Sequence, residues 1–165
     1  MTGCGVKHVR HEAAHAVVGW RSDAAIVQSI MLQWPPQVRM ITCRGWDAGL
    51  EDAVIAAVGE LAEDPSAYDD FGAFRSARLL TDAHLVLAAC SLMGQRGRRQ
   101  GQRFWFEFVR DESLERLAMY ADDVDRVAAA LTARGALDHD DLAELLGPQV
   151  LQDAADSTTG REESA

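Results

Sequence analysis

The order of apolar and polar positions along the chain predicts mostly helices and one β-hairpin. Over residues 6–22, apolar side chains recur every three or four positions, including Val9, Ala13 and Val17, which is the period of an amphipathic helix. Two β-prone runs flank a Trp-Pro-Pro-Gln sequence and predict a hairpin with an irregular turn. The hairpin strands are expected at 26–33 and 38–43, and further helices at 50–62, 69–93, 112–134 and 138–146. The predicted fold class is therefore mainly α, with a small β-hairpin or sheet.

Length and composition fit one domain followed by a short tail. The chain has 165 residues, of which 48% are apolar and 25% charged, as in ordinary globular proteins. We expect residues 1–150 to form the domain and the polar residues 151–165 to be a disordered tail. No apolar run approaches the roughly 18 residues of a membrane helix, and the N-terminal residues lack the apolar stretch of a signal peptide. The expected location is the cytoplasm, without a membrane partner.

Charge and residue counts exclude several functional classes. Sixteen basic residues against twenty-six acidic ones give a net charge of −10, which argues against nucleic acid as a partner. The three cysteines form no Cys-x-x-Cys pair, so neither a disulfide framework nor a cysteine zinc ribbon is expected. Lys7 is the only lysine and follows Val6, so the chain has no Gly-Lys-Ser/Thr phosphate loop and no such ATPase activity of its own. Any unfolding ATPase would be a separate polypeptide, for which the arginine-rich loop at 96–103 is a candidate docking surface.

The first predicted helix carries an H-E-x-x-H motif, formed by His11, Glu12 and His15. Residues four apart lie on one helix face, so both imidazoles can reach a single Zn²⁺. Glu12 lies beside them, where a carboxylate can accept a proton from a zinc-activated water that attacks a peptide carbonyl. Gly19, one turn beyond His15, is expected to leave room for substrate or a further ligand. The motif predicts a metallopeptidase site.

Catalytic zinc needs a third protein ligand, and the residues alone leave several candidates. Glu60 and Glu63 on the second helix would suit a thermolysin-like arrangement. Asp69 and Asp70 stand at the start of a later helix, where aspartate is also a common helix cap.

The segment 9–18 resembles the H-E-A-G-H-A signature that opens the peptidase domain of FtsH-type zinc proteases. The order of the later segments is also similar to that family: a hairpin, a small-residue helix containing a glutamate, and a helix start with Asp70 and Phe71. The resemblance implies a zincin-like metallopeptidase domain in which His11 and His15 bind Zn²⁺ and Glu12 is the catalytic base. It implies an aspartate at the start of a later helix as third ligand, for which Asp70 fits best.

The resemblance also implies a hairpin that borders the cleft and pairs with an extended substrate. The expected function is a stand-alone zinc metallopeptidase that cleaves peptides or unfolded proteins without ATP. A separate ATPase or regulator and a homo-oligomer remain open as partners. Two alternatives are a catalytically silent metal-binding or metal-free interaction module of the same fold, and a helical domain unrelated to zinc.

Overall fold

Seven helices and three strands form the part of the chain that the computed structural model describes, residues 5–33, 35–42, 48–76, 81–95 and 101–149. In chain order they are α1 (Gly5–Arg21), β1 (Ala25–Met31), β2 (Gln37–Thr42), α2 (Ala48–Glu63), α3 (Phe71–Ser76), α4 (Thr81–Gln95), α5 (Gln102–Met119), α6 (Ala121–Arg134), β3 (Ala136–Asp138) and α7 (His139–Leu146). The predicted class, mainly α with a small sheet, is confirmed. No helix in these ranges combines the length and hydrophobicity needed to cross a membrane. The predicted tail and residues 96–100 of the arginine-rich loop lie outside the described residues.

Helix α1 lies at the centre of the fold, in contact with α2, α6 and both strands of the hairpin. Its predicted apolar stripe is buried, with Ala13 and Val17 fully inaccessible to solvent. Near the end of the helix the indole N–H of Trp20 donates to the carbonyl of Gly147 at 3.0 Å. On the face towards α6, Arg10 forms an ion pair with Asp125. Because α1 is held from several sides, the polar residues on it have a well-defined position.

The three strands form an antiparallel sheet in the order β2-β1-β3. The predicted hairpin pairs Met31 with Gln37 next to its turn, and the register shifts by a bulge between Val27 and Ser29. Strand β3 then pairs with the other edge of β1, opposite residues 29–31. The sequence did not predict β3, because a run of three residues is too short to show the alternation that marks a strand.

Two of the predicted helices each correspond to two helices of the structure. The stretch 69–93 contains α3 and α4, and residues 77–80 between them lie outside the described residues. The stretch 112–134 belongs to α5 and α6, which meet at Tyr120, a residue with non-helical angles (φ −109°, ψ 20°). Apolar periodicity can continue across a single non-helical residue, so it does not reveal the break at Tyr120. Asp82 lies in the first turn of α4.

Helix α2 runs through the core between α1, α4 and α5. Its middle, residues 53–58, is buried without exception. At its N-terminal end, Glu51 accepts two hydrogen bonds from the guanidinium of Arg116 on α5, at 2.5 and 2.7 Å. Its C-terminal half faces the histidines of α1.

Candidate metal centre

Helix α1 presents His11 and His15 one turn apart on the same face, as the motif predicts. Their rings meet edge to face with centroids 4.6 Å apart, and the two Nε2 atoms are separated by 3.0 Å. The imidazoles therefore direct one nitrogen each towards a common point.

A third ligand group comes from Asp82 in the first turn of α4. Its Oδ2 lies 3.3 Å from Nε2 of His11 and 3.5 Å from Nε2 of His15. The three side chains form the His/Asp group, defined by these residues, whose ligand atoms all lie within 4.8 Å of one another. The His15 side chain is only 9% exposed whereas that of Asp82 is 34% exposed, so the group is deep at His15 and accessible beside Asp82.

The spacing of the three ligand atoms fits a tetrahedral zinc ion. Zinc bonds of about 2.0–2.1 Å at tetrahedral angles place neighbouring ligand atoms about 3.3 Å apart. The three separations in the His/Asp group are 3.0, 3.3 and 3.5 Å. Two imidazole nitrogens and one carboxylate oxygen are also a donor set typical of catalytic zinc, which keeps the fourth position open.

Residues of helix α2 lie next to both imidazoles, and one of them fixes the orientation of His15. Nδ1 of His15 lies 2.6 Å from the backbone carbonyl oxygen of Ile55, which can only accept a hydrogen bond. His15 therefore carries its proton on Nδ1, and its Nε2 lone pair faces the His/Asp group. Nδ1 of His11 lies 3.8 Å from Oε1 of Glu63, one negative charge on the side away from the group. This arrangement resembles the outer partners that orient metal-bound histidines in general.

Asp82 and His11 shift each other's pKa, because their side chains are in contact. The hydrogen bond from His11, together with the neighbouring imidazole of His15, holds the pKa of Asp82 well below its ordinary value. Burial lowers the pKa of His11, but the hydrogen bond to Asp82 and the charges of Glu12 and Glu63 outweigh burial and raise it above 6.5. The site thus concentrates negative charge around the imidazoles, which favours a cation at this position.

Glu12 lies beside the His/Asp group without belonging to it. It is 7% exposed, and burial raises the pKa of its carboxyl although His15 and His11 oppose the shift. A buried carboxylate next to, but separate from, the candidate ligands is the position that the motif predicts for a general base.

Among the described residues, the other predicted candidates do not belong to the His/Asp group, although Glu63 lies 3.8 Å from Nδ1 of His11. Asp70, the favoured third ligand, is an exposed cap of α3 whose Oδ1 accepts from the backbone N–H groups of Gly72 and Ala73 at 2.8 and 3.0 Å. Asp69 is exposed beside it. Glu60 points towards the buried Tyr68 hydroxyl, and its pKa is raised by burial. In the described residues Asp82 therefore occupies the place that the resemblance assigned to Asp70, one helix further along the chain.

The sequence analysis did not select Asp82, because the helix predicted over 69–93 places this residue in its interior and not at its start. The available signal was local: Thr81 and Asp82 immediately precede the apolar stripe of Ala83, Val86 and Cys90, as is typical of a helix start. The general expectation of an aspartate at the start of a later helix applies to Asp82 as well as to Asp70.

The space predicted beside Gly19 is filled by the hairpin. A Cβ at Gly19 would lie 3.1 Å from Cγ2 of Val27 and 3.6 Å from Cε of Met40. Gly19 therefore allows close packing of α1 on the hairpin, and it places Met40 of β2 one helical turn from His15.

No protein-family model matches the chain, and a search of curated proteins finds no match either.

Proposed function

We propose that this chain is a zinc-dependent metallopeptidase that hydrolyses peptide bonds in flexible polypeptides. His11, His15 and Asp82 would hold the zinc ion, and Glu12 would act as the general base. The observation that carries the proposal is the convergence of the three ligand atoms at zinc-like separations directly beside the buried carboxylate of Glu12. The resemblance of the first helix to FtsH-type peptidase domains supports the same activity.

The residues of the chain have separate tasks in this proposal. Zinc, when bound, polarises a peptide carbonyl and makes water easier to deprotonate. Glu12 accepts the proton of the attacking water and returns it to the leaving amine; its burial raises its pKa and thereby favours holding that proton. The Ile55 carbonyl keeps the imidazole of His15 in one tautomer and one orientation.

The hairpin supports an extended polypeptide as the substrate. Strand β2 is an edge of the sheet, with β1 on one side and no further strand on the other among the described residues. An edge strand can pair with an extended peptide through backbone hydrogen bonds. The side chain of Met40 in β2 lies next to Gly19 of α1, one helical turn from His15, so this strand lies near the candidate metal centre.

Such binding requires an unfolded or flexible segment, and a separate ATPase would have to supply unfolding of folded substrates. The proposed setting is the cytoplasm, where a free thiol such as that of Cys90 stays reduced.

The decisive experiment compares Glu12→Gln with the parent on a disordered casein and on fluorogenic peptides. The amide keeps the shape of the side chain but cannot accept the proton, so kcat/KM should fall about 10²- to 10⁴-fold. Zinc content, measured on the same samples, should remain that of the parent. Glu115→Gln, an exposed change on α5, is the matched control and should leave hydrolysis unchanged.

Two outcomes would contradict the proposal. Equal hydrolysis by Glu12→Gln and the parent would remove Glu12 from the reaction. A zinc-loaded parent that cleaves neither casein nor the peptides would exclude the peptidase and leave the interaction module as the function of this fold.

A further inference from the structure

Helix α2 faces the His/Asp group with three residues spaced four apart, which places them on one face of the helix. Ile55 supplies the carbonyl that contacts His15, and Glu63 lies near Nδ1 of His11. Between them is Gly59, whose missing side chain would point at the two imidazoles. A Cβ at Gly59 would lie 2.3 Å from Nε2 of His15 and 2.7 Å from Nε2 of His11.

Backbone conformation gives no reason for a glycine at this position. Among the described glycines only Gly135 and Gly147 have a positive φ, and Gly59 lies in the regular interior of α2. Glycine is unfavourable inside a helix compared with alanine, because it loses more conformational freedom on folding. Space beside the imidazoles is therefore the physical reason that the structure offers for Gly59.

We propose that Gly59 is a positioning residue of the metal centre, because its missing side chain leaves the room that the imidazoles of His11 and His15 need in order to converge on an ion. The inference rests on the zinc site of the proposed function. A methyl group at Gly59 would lie 2.3 Å and 2.7 Å from the two Nε2 atoms, far inside van der Waals contact. It would therefore displace the imidazoles from the positions at which their nitrogen atoms converge.

Gly59→Ala tests this role directly, with Gly49→Ala as the matched control. Gly49 belongs to the same helix, and a Cβ there would meet no atom within 4 Å. Zinc affinity is measured by competition with a chromophoric chelator, and circular dichroism checks the fold. Gly59→Ala should weaken zinc binding by about 10- to 100-fold, the range for residues that orient metal ligands, and Gly49→Ala should leave it unchanged. Equal affinity of Gly59→Ala and the parent would overturn the inference.

A second measurement separates this role from simple helix packing and does not depend on zinc. The melting temperature of the metal-free protein is compared with and without Gly59→Ala, in the parent and in a His11→Ala/His15→Ala background. The substitution should lower the melting temperature in the parent and raise it once both imidazoles are gone, because alanine then only improves the helix. An equal decrease in both backgrounds would show that Gly59 packs against other atoms and would overturn the inference.

The two proposals fail in different ways. A parent that binds no zinc overturns the proposed zinc site and, with it, the positioning of an ion by Gly59. A parent that binds zinc and keeps its affinity after Gly59→Ala overturns only the role of Gly59.

Discussion

Asp82 and Asp70 carry the same carboxylate, but their partners in the structure differ. Asp82 contacts two imidazole nitrogens at 3.3 and 3.5 Å, whereas Asp70 accepts from two backbone N–H groups at the start of α3. Removing each carboxylate should therefore have a different consequence. One affects a ligand of the proposed ion, and the other affects the end of a short helix.

Asp82→Ala should weaken zinc binding by about 100-fold or more, since losing a ligand costs at least as much as losing its outer partners. Asp70→Ala should retain zinc and lower the free energy of unfolding by about 0.5–2 kcal/mol, the usual cost of losing a helix cap. Zinc titration and urea denaturation of both variants check these expectations. Loss of zinc from Asp70→Ala, with normal binding by Asp82→Ala, would return the third ligand to the position that the resemblance favoured.

At the scale of elements, α2 must stay in place against α1 for Ile55 and Gly59 to act on the histidines. The ion pair of Glu51 with Arg116 ties α2 to α5, with both side chains about four-fifths buried (20% and 21% exposed). Burial raises the pKa of Glu51, but hydrogen bonds and charge from Arg116, with help from Ser22, outweigh it and lower the pKa below 4.5. The pair therefore stabilises the folded state while Glu51 is ionised.

Glu51→Gln should lower the free energy of unfolding by about 1.5–3 kcal/mol at pH 7, the range for hydrogen bonds to charged groups. Because the folded pKa of Glu51 is depressed, its contribution is complete above pH 4.5 and is lost as the pH falls through the lower folded value. The difference between parent and variant should therefore shrink in acid. Urea denaturation between pH 3 and 7 measures it. Glu107→Gln, which breaks the exposed pair with Arg103, is the control and should change little. A difference that stays constant with pH would contradict the assigned ion pair.

The arrangement of the helices also explains which parts of the candidate site could be predicted from the sequence. His11, Glu12 and His15 follow from local spacing on one helix, whose apolar stripe fixes which face is buried. Asp82 required knowing where α4 begins, and the apolar period across 69–93 shows no interruption that would mark it. The sequence analysis named Glu63 of α2 as a candidate for the site, and the structure places it beside His11. The roles of Ile55 and Gly59 could not be predicted, because a backbone carbonyl and a missing Cβ leave no trace in a pattern of side chains.

At the scale of the whole molecule, the His/Asp group joins segments that are far apart in the chain. His11 and Asp82 are separated by 71 residues and belong to α1 and α4. The unfolded chain does not hold these groups together, so zinc bound at the proposed site would favour the folded state. The proposal therefore couples metal binding to the stability of the domain, and this coupling can be measured without any substrate.

Zinc at 100 times its dissociation constant should stabilise the folded protein by about 2.7 kcal/mol. For a chain of this length that corresponds to a rise of about 5–10 °C in melting temperature, which a chelator should reverse. Thermal unfolding of metal-free protein with added Zn²⁺, compared with added Mg²⁺, measures the effect. Mg²⁺ prefers oxygen ligands and should have little influence on a group with two imidazoles. Asp82→Ala should lose most of the response to Zn²⁺, because its remaining ligands both lie on α1 and no longer join two helices. A parent whose melting temperature is the same with Zn²⁺ and with chelator would show that the three residues do not bind zinc in the folded state.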